Sequence, residues 1–122
     1  MANAVKKLKL SASSKGLGIL IAATATPGTP VHVTSNDATK DDEVWLWLEN
    51  EDTADILATV EFGGVTSPSM TIKVNVPFKQ GLFLAVPGFL LSDGGAGALT
   101  VAVFAATTNK ITAYGYVMRI TP

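Results

Sequence analysis

His32 is the only histidine in a chain of 122 residues that has no cysteine, and these two facts narrow the possible chemistry. Nucleophilic catalysis of the Ser-His-Asp kind needs a histidine base, so any such site would have to be built on His32. It alternates with Val31 and Val33, so in a strand it lies on the face opposite two core residues. The expectation is a strand histidine, hydrogen-bonded to a neighbour or exposed. No serine sits in a G-x-S-x-G elbow and no S-x-x-K occurs, which removes the usual settings for an activated serine. No catalytic residue is assigned, and the chain reads as a protein that is not an enzyme.

Without thiols, metal binding is left to hard cations held by oxygen. Eight of the ten acidic residues fall between Asp37 and Asp55, and NDATKDDE offers Asp37, Asp41, Asp42 and Glu43. The D-x-D-x-D-G spacing and distal glutamate of an EF-hand are missing. The cluster is therefore read as solvated loops flanking a strand, with calcium at Asp37 to Asp55 left open and no metal site assigned. Gly16-Leu17-Gly18 and Gly94-Gly95-Ala96-Gly97 lack the following Lys-Ser/Thr and the strand-loop-helix setting of a phosphate cradle, so they read as turns. No cofactor is expected.

The net charge is −1, with four of nine basic residues in the first fifteen positions. The body carries only Lys40, Lys73, Lys79, Lys110 and Arg119, too dispersed for a nucleic-acid surface. There is no apolar run of about 18 residues that could span a bilayer as a helix, and no membrane partner is expected. Apolar residues make up 48% of the chain and charged residues 16%. So greasy a small domain is either packed on both faces of its sheets or covered by partners.

The elements that must position these residues follow from period two. In EVWLWLEN, Val44, Leu46 and Leu48 share one face and Trp45 and Trp47 the other, both apolar. In DILATVEF, Ile56, Ala58, Val60 and Phe62 point to a core while Leu57, Thr59 and Glu61 point to a side at least partly wet. TIKVNV ends at Pro77, GLFLAVPG is expected to stop at Pro87-Gly88, and LTVAVFAATTNK and ITAYGYVMRIT flank Thr108-Asn109-Lys110 as a plausible hairpin. With GILIAATA and PVHVTS upstream, about eight short strands result. The fold class expected is all-β, a single jelly-roll-like β-sandwich over residues 17–122, preceded by a basic extended N-terminal arm over 1–16. Lys15 to Pro30 has the parts of a secretion signal, but its apolar run is only Leu17 to Ala23, so it reads as the junction where the arm enters the fold.

Trp45 and Trp47 are either core or an interface anchor. Other residues with contact chemistry are Lys6, Lys7, Lys9 and Lys15 of the arm, Phe89, Leu90 and Leu91 as an apolar loop, and Tyr114 and Tyr116 as amphipathic contacts. An extended arm could reach a neighbouring subunit, and a homo-oligomer, preferably a trimer, is expected.

The series HVTS, DDEVWLWLENEDTADILATVEFGG, VNVPFKQGLFLAVPG, a glycine-rich turn and ITAYGYVMRIT, covering Val31 to Thr121, resembles small virion structural proteins of tailed bacteriophages, capsid decoration or cement proteins in particular. The resemblance implies a compact β-sandwich or jelly roll on the outer capsid surface of the virion. There, often as a trimer, it would bridge the major capsid protein lattice. Alternatives of other classes are a carbohydrate- or receptor-binding module of a tail fibre, using Trp, Tyr and the Asp37 to Glu43 loop, and a tail or neck component.

Overall fold

A computed structural model describes residues 4–92 and 97–122. Nine strands run in chain order: β1 (Ala4–Lys9), β2 (Ile19–Ile21), β3 (Thr29–Val33), β4 (Asp41–Asn50), β5 (Ile56–Phe62), β6 (Thr71–Val76), β7 (Leu82–Ser92), β8 (Thr100–Ala105) and β9 (Ile111–Thr121). They form two antiparallel sheets. The first has the order β1-β9-β4-β7, with β2 also paired to β9, and the second has the order β3-β8-β5-β6. No helix occurs among the described residues, and the chain is an all-β sandwich.

The alternation in β4 positions the first sheet. Val44, Leu46 and Leu48 are fully buried, while Trp45 and Trp47 between them face outward and are half-buried. Val60 and Ala58 of β5, Val101 and Val103 of β8, and Ala113 and Val117 of β9 complete the shared core. Asn50, 2% exposed, pins the crossing from β4 to β5. Its Nδ2 donates to the carbonyls of Ala54 and Val76, each at 2.9 Å, and its Oδ1 accepts from the Asp52 N–H. One side chain thus satisfies the backbone groups that a turn leaves open.

Several expectations are corrected. The basic segment 1–16, in its described part, is not an arm leaving the body. Residues 4–9 are extended but pair in register with β9, from Ala4↔Thr121 to Lys9↔Tyr116, and so form an edge strand of the first sheet. β8 and β9 do not make a hairpin, because they belong to different sheets. The turn is present, with Asn109 at φ 60°, a conformation asparagine tolerates, and its N–H donates to the Ile21 carbonyl. Pro87-Gly88 does not end its strand. β7 continues through it to Ser92, with register shifts between Val44 and Trp45 and between Leu46 and Trp47 of its partner. An edge strand with bulges is where a proline fits without losing a needed donor. Phe89, Leu90 and Leu91 are consequently strand, not loop. Gly94, Gly95 and Ala96 of the glycine-rich turn lie outside the described residues.

Candidate functional site

Two arrangements hold the residues with contact or polar chemistry. The outer face of the first sheet is built by register. Tyr116 lies directly across from Trp45, and Tyr114 from Trp47, while on the other flank Trp47 pairs with Leu84 and Glu43 with Leu90. Trp45 stacks with Trp47 at 6.1 Å and 19° and with Tyr116 at 6.2 Å and 17°, while Trp47 and Tyr116 meet tilted at 6.0 Å and 30°. These separations fall in the range of favourable aromatic pairs. Lys7 of β1 places its Nζ 4.5 Å from the Tyr116 centroid, a cation–π contact that closes the stack on the β1 side. The Trp45 indole N–H donates to Glu43 Oε2 at 2.7 Å. Around this cluster Leu82, Leu84, Leu90 and Tyr114 remain exposed, with Glu43 opposite Leu90 and Glu49 opposite Leu82, so the face is an aromatic and apolar surface edged by carboxylates.

Of the expected contact residues, the fold gathers Lys7, Lys9, Trp45, Trp47, Leu90, Tyr114 and Tyr116 on this face. It sends the others elsewhere. Lys6 points to the opposite side of β1 and lines a cleft with Lys40 and Arg119. Lys15 sits in an exposed turn at φ 60°. Phe89 packs edge-on against Phe62 of the second sheet at 6.4 Å, and Leu91 packs against the core. Leu84 and Met118, opposite Trp47 and Glu43, complete the face. Met118 was detectable from the period-two continuation of Tyr114 and Tyr116; Leu84 was hidden by the bulges in β7.

The second arrangement is buried between the sheets. The register of β3 shifts between Pro30 and His32, so Val31 is an extra residue. Val31 and His32 both turn inward, while Val33 is 41% exposed. Simple alternation had put His32 opposite both valines; the bulge corrects this. His32 Nε2 lies 2.7 Å from Asp42 Oδ2. Arg119 donates from Nε to Asp42 Oδ1 at 2.8 Å and from Nη2 to Oδ2 at 2.9 Å. The Ser11 backbone N–H donates to His32 Nδ1 at 3.1 Å, which makes Nδ1 an acceptor and assigns the proton of the neutral ring to Nε2.

Burial pushes the His32 pKa below its ordinary value, against the upward pull of the Asp42 hydrogen bond and charge. For Asp42, burial pushes upward, but hydrogen bonds from Arg119 and His32 outweigh it and hold the carboxyl below its ordinary value. Asp42 is thus no part of a solvated acidic loop. Both ring nitrogens of His32 are engaged, one by a backbone N–H and one by Asp42. The Ser11 hydroxyl accepts from the Val33 N–H at 2.6 Å. This geometry ties the sheets together and leaves the imidazole no free nitrogen to take a proton from a nucleophile.

Glu61 also departs from expectation. Although on the outward side of β5, it is 1% exposed, and its neighbour Thr59 is 4% exposed. Among the described residues no group of three or more His, Cys, Asp or Glu side chains is placed to hold a metal ion.

Comparison with protein-family models, curated proteins and solved structures finds no match to this chain.

Proposed function

We propose that this chain is a non-enzymatic structural protein of a phage particle, a capsid decoration or cement protein that uses the outer face of its first sheet to bind the major capsid protein lattice or a second copy of itself. The observation that carries the reading is the stacked cluster of Trp45, Trp47 and Tyr116 set among exposed Leu82, Leu84 and Leu90. Aromatic anchors surrounded by apolar groups are the usual composition of an interface centre. The resemblance to decoration proteins supplies the setting.

Strand order supports a jelly-roll reading. If β1 and β2, which share β9 as partner, count as one interrupted strand, eight positions run 1-8-3-6 and 2-7-4-5 across the two sheets. Jelly rolls serve in capsids and in lectins alike, so the fold does not choose between them. The ring geometry favours protein. A sugar platform needs an open aromatic face, whereas these rings spend their faces on one another and on Lys7.

Magnitudes bear on the oligomer. Covering the half-exposed rings and leucines would remove roughly 400 Å² from water, worth about 10 kcal/mol at about 25 cal/mol/Å². Association costs roughly 4–15 kcal/mol. One face is therefore near break-even, and repetition around a symmetry axis, with a trimer preferred, would make attachment durable. Co-sedimentation with assembled capsids, followed by electron microscopy of decorated particles, tests the reading. A strictly monomeric chain that ignores capsids would refute it.

A further inference from the structure

On the far side of the sandwich from the aromatic face, Glu61 is enclosed by loops. Alternation with the fully buried Val60 turns it away from the core, yet it is 1% exposed. The turn carrying Pro27 and Gly28 and the segments around Val65 and Leu99 enclose a cleft of about 370 Å³ that Glu61 lines. This is within the size range of small-ligand sites. Glu61 is the only titratable group of that lining among the described residues, and the walls include Pro27, Pro30, Val65 and Leu99.

The carboxylate is half satisfied. The Gly28 N–H donates to Oε1 at 2.7 Å, whereas Oε2 is buried without a hydrogen-bond partner among the described residues. A buried acceptor left unmade is costly and rare in native proteins. The cross-strand neighbours of Glu61 are Ala102 on β8, which in turn faces Pro30 on β3, and Thr71 on β6; the alanine and proline side chains cannot donate, and the Thr71 hydroxyl is directed to Ser67 Oγ instead. Among the described residues no neighbouring group therefore donates to Oε2.

We propose that this cleft binds a primary alkylammonium group, with its charged head on Glu61 Oε2 and its methylene stem along the apolar walls at Pro30 and Leu99. The chemistry of the site selects this class. An anion is repelled, and one carboxylate is too few ligands for a hard metal ion. A guanidinium binds best across two free carboxylate oxygens, but Gly28 already occupies one. Glu61 lines the cleft, and with Oε1 held by the Gly28 N–H, Oε2 is the oxygen left to accept. The site stands independently of the capsid reading, since it uses the other sheet.

The test is an amide NMR titration of the full chain with n-butylammonium and, separately, with Nα-acetyl-lysine amide. Saturable shifts at the Gly28, Gly63 and Gly64 amides are expected, weakened at least about tenfold by Glu61→Gln, as befits loss of a charge-assisted hydrogen bond. Ala98→Trp, at the exposed rim, plugs the cleft without touching Glu61 and should abolish the shifts, which keeps the test sound if the Gln variant folds poorly. Tighter binding of the lysine amide assigns the site to a partner protein's side chain, and tighter binding of butylammonium to a free amine. Absence of saturable shifts with both ligands, or unchanged binding in the Trp variant, would overturn the proposal.

Discussion

His32 and Asp42 stand 2.7 Å apart, each 1% exposed, and they belong to different sheets, so one hydrogen bond joins the two layers of the sandwich. Arg119, 22% exposed, completes the charge balance from the strand beside Asp42. A hydrogen bond from a ring nitrogen whose other nitrogen is already occupied leaves the pair one arrangement. It locks the register of the layers at that end.

Removing the carboxylate should therefore be severe. Asp42→Ala leaves a buried Nε2–H and a guanidinium without their shared acceptor, and breaking a buried pair by deleting one partner costs about 3–5 kcal/mol. Because Arg119 can reach water, the lower end, about 3 kcal/mol, is expected. Urea denaturation should show a lower midpoint with an unchanged slope. A shift below about 0.5 kcal/mol, the ordinary size of a surface change, would refute the clasp.

Acid should destabilise the fold in two successive windows. The folded His32 pKa lies below its ordinary value because burial disfavours the charged ring, so between about 6.5 and the folded value the unfolded chain binds more protons. Its contribution is complete above about 6.5 and declines as pH falls below it, by at most about 1.4 kcal/mol per pH unit. Asp42, held below its ordinary value chiefly by Arg119 and His32 against the penalty of burial, adds a second decline as pH falls below the ordinary carboxylate range. His32→Gln should flatten the upper window and leave the lower. Midpoints of chemical unfolding measured across pH check this.

These two residues show where sequence reasoning reaches and where it stops. Alternation in 44–48 identified the strand and both of its faces, because period two is a local property. His32 was assigned to the wrong side because the extra residue at Val31 is set by the pairing with β8, which no local window contains. Thr108-Asn109-Lys110 was legible as a reversal, but turn chemistry does not say whether the chain pairs back or crosses to another sheet. Glu61 looked wet on its strand, since its cover comes from segments around Pro27 and Leu99, more than thirty positions away in each direction. The aromatic face was half legible: Trp45 with Trp47 and Tyr114 with Tyr116 were each visible, and their meeting required the β4–β9 register.

Replacing both Trp45 and Trp47 by serine should separate binding from folding. Their side chains face outward, so the core is untouched, and removing outward stacking should cost the fold only about 1–3 kcal/mol. Loss of a hot-spot pair should weaken self-association or capsid attachment by about thirtyfold or more. Analytical ultracentrifugation and capsid co-sedimentation provide the readouts. Unchanged association in a folded double variant would remove this face from the interface.

The β4–β9 pairing tolerates no side chain at position 115. A Cβ built on Gly115 would overlap the Trp45 carbonyl oxygen and come within 3.2 Å of the Leu46 Cα. Backbone cannot yield as a flexible side chain does, so Gly115→Ala should separate the strands and cost about 1–3 kcal/mol. It should also disturb the stacking of Trp45 on Tyr116, visible as altered near-UV dichroism. A variant with wild-type dichroism and melting would show that the strands approach less closely than this geometry requires.

The basic N-terminal strand should act as a guard on the sheet edge. β1 covers residues 116–121 of β9 and β2 covers residues 111–113, and β1 itself presents Lys6, Lys7 and Lys9 at the rim. Lysines on an edge strand discourage pairing with another chain, and an uncovered apolar edge invites it. Deleting the chain through Lys9 bares the backbone of β9 beside Val117, Met118 and Ile120, so concentration-dependent association is expected by light scattering. Changing Lys6, Lys7 and Lys9 together to threonine keeps the strand but removes its charge. That variant should fold, lose the Lys7 contact with Tyr116, and associate more readily than wild type. If both variants stay monodisperse at the concentrations where wild type does, the strand is not protecting the edge, and its lysines must serve a contact made elsewhere.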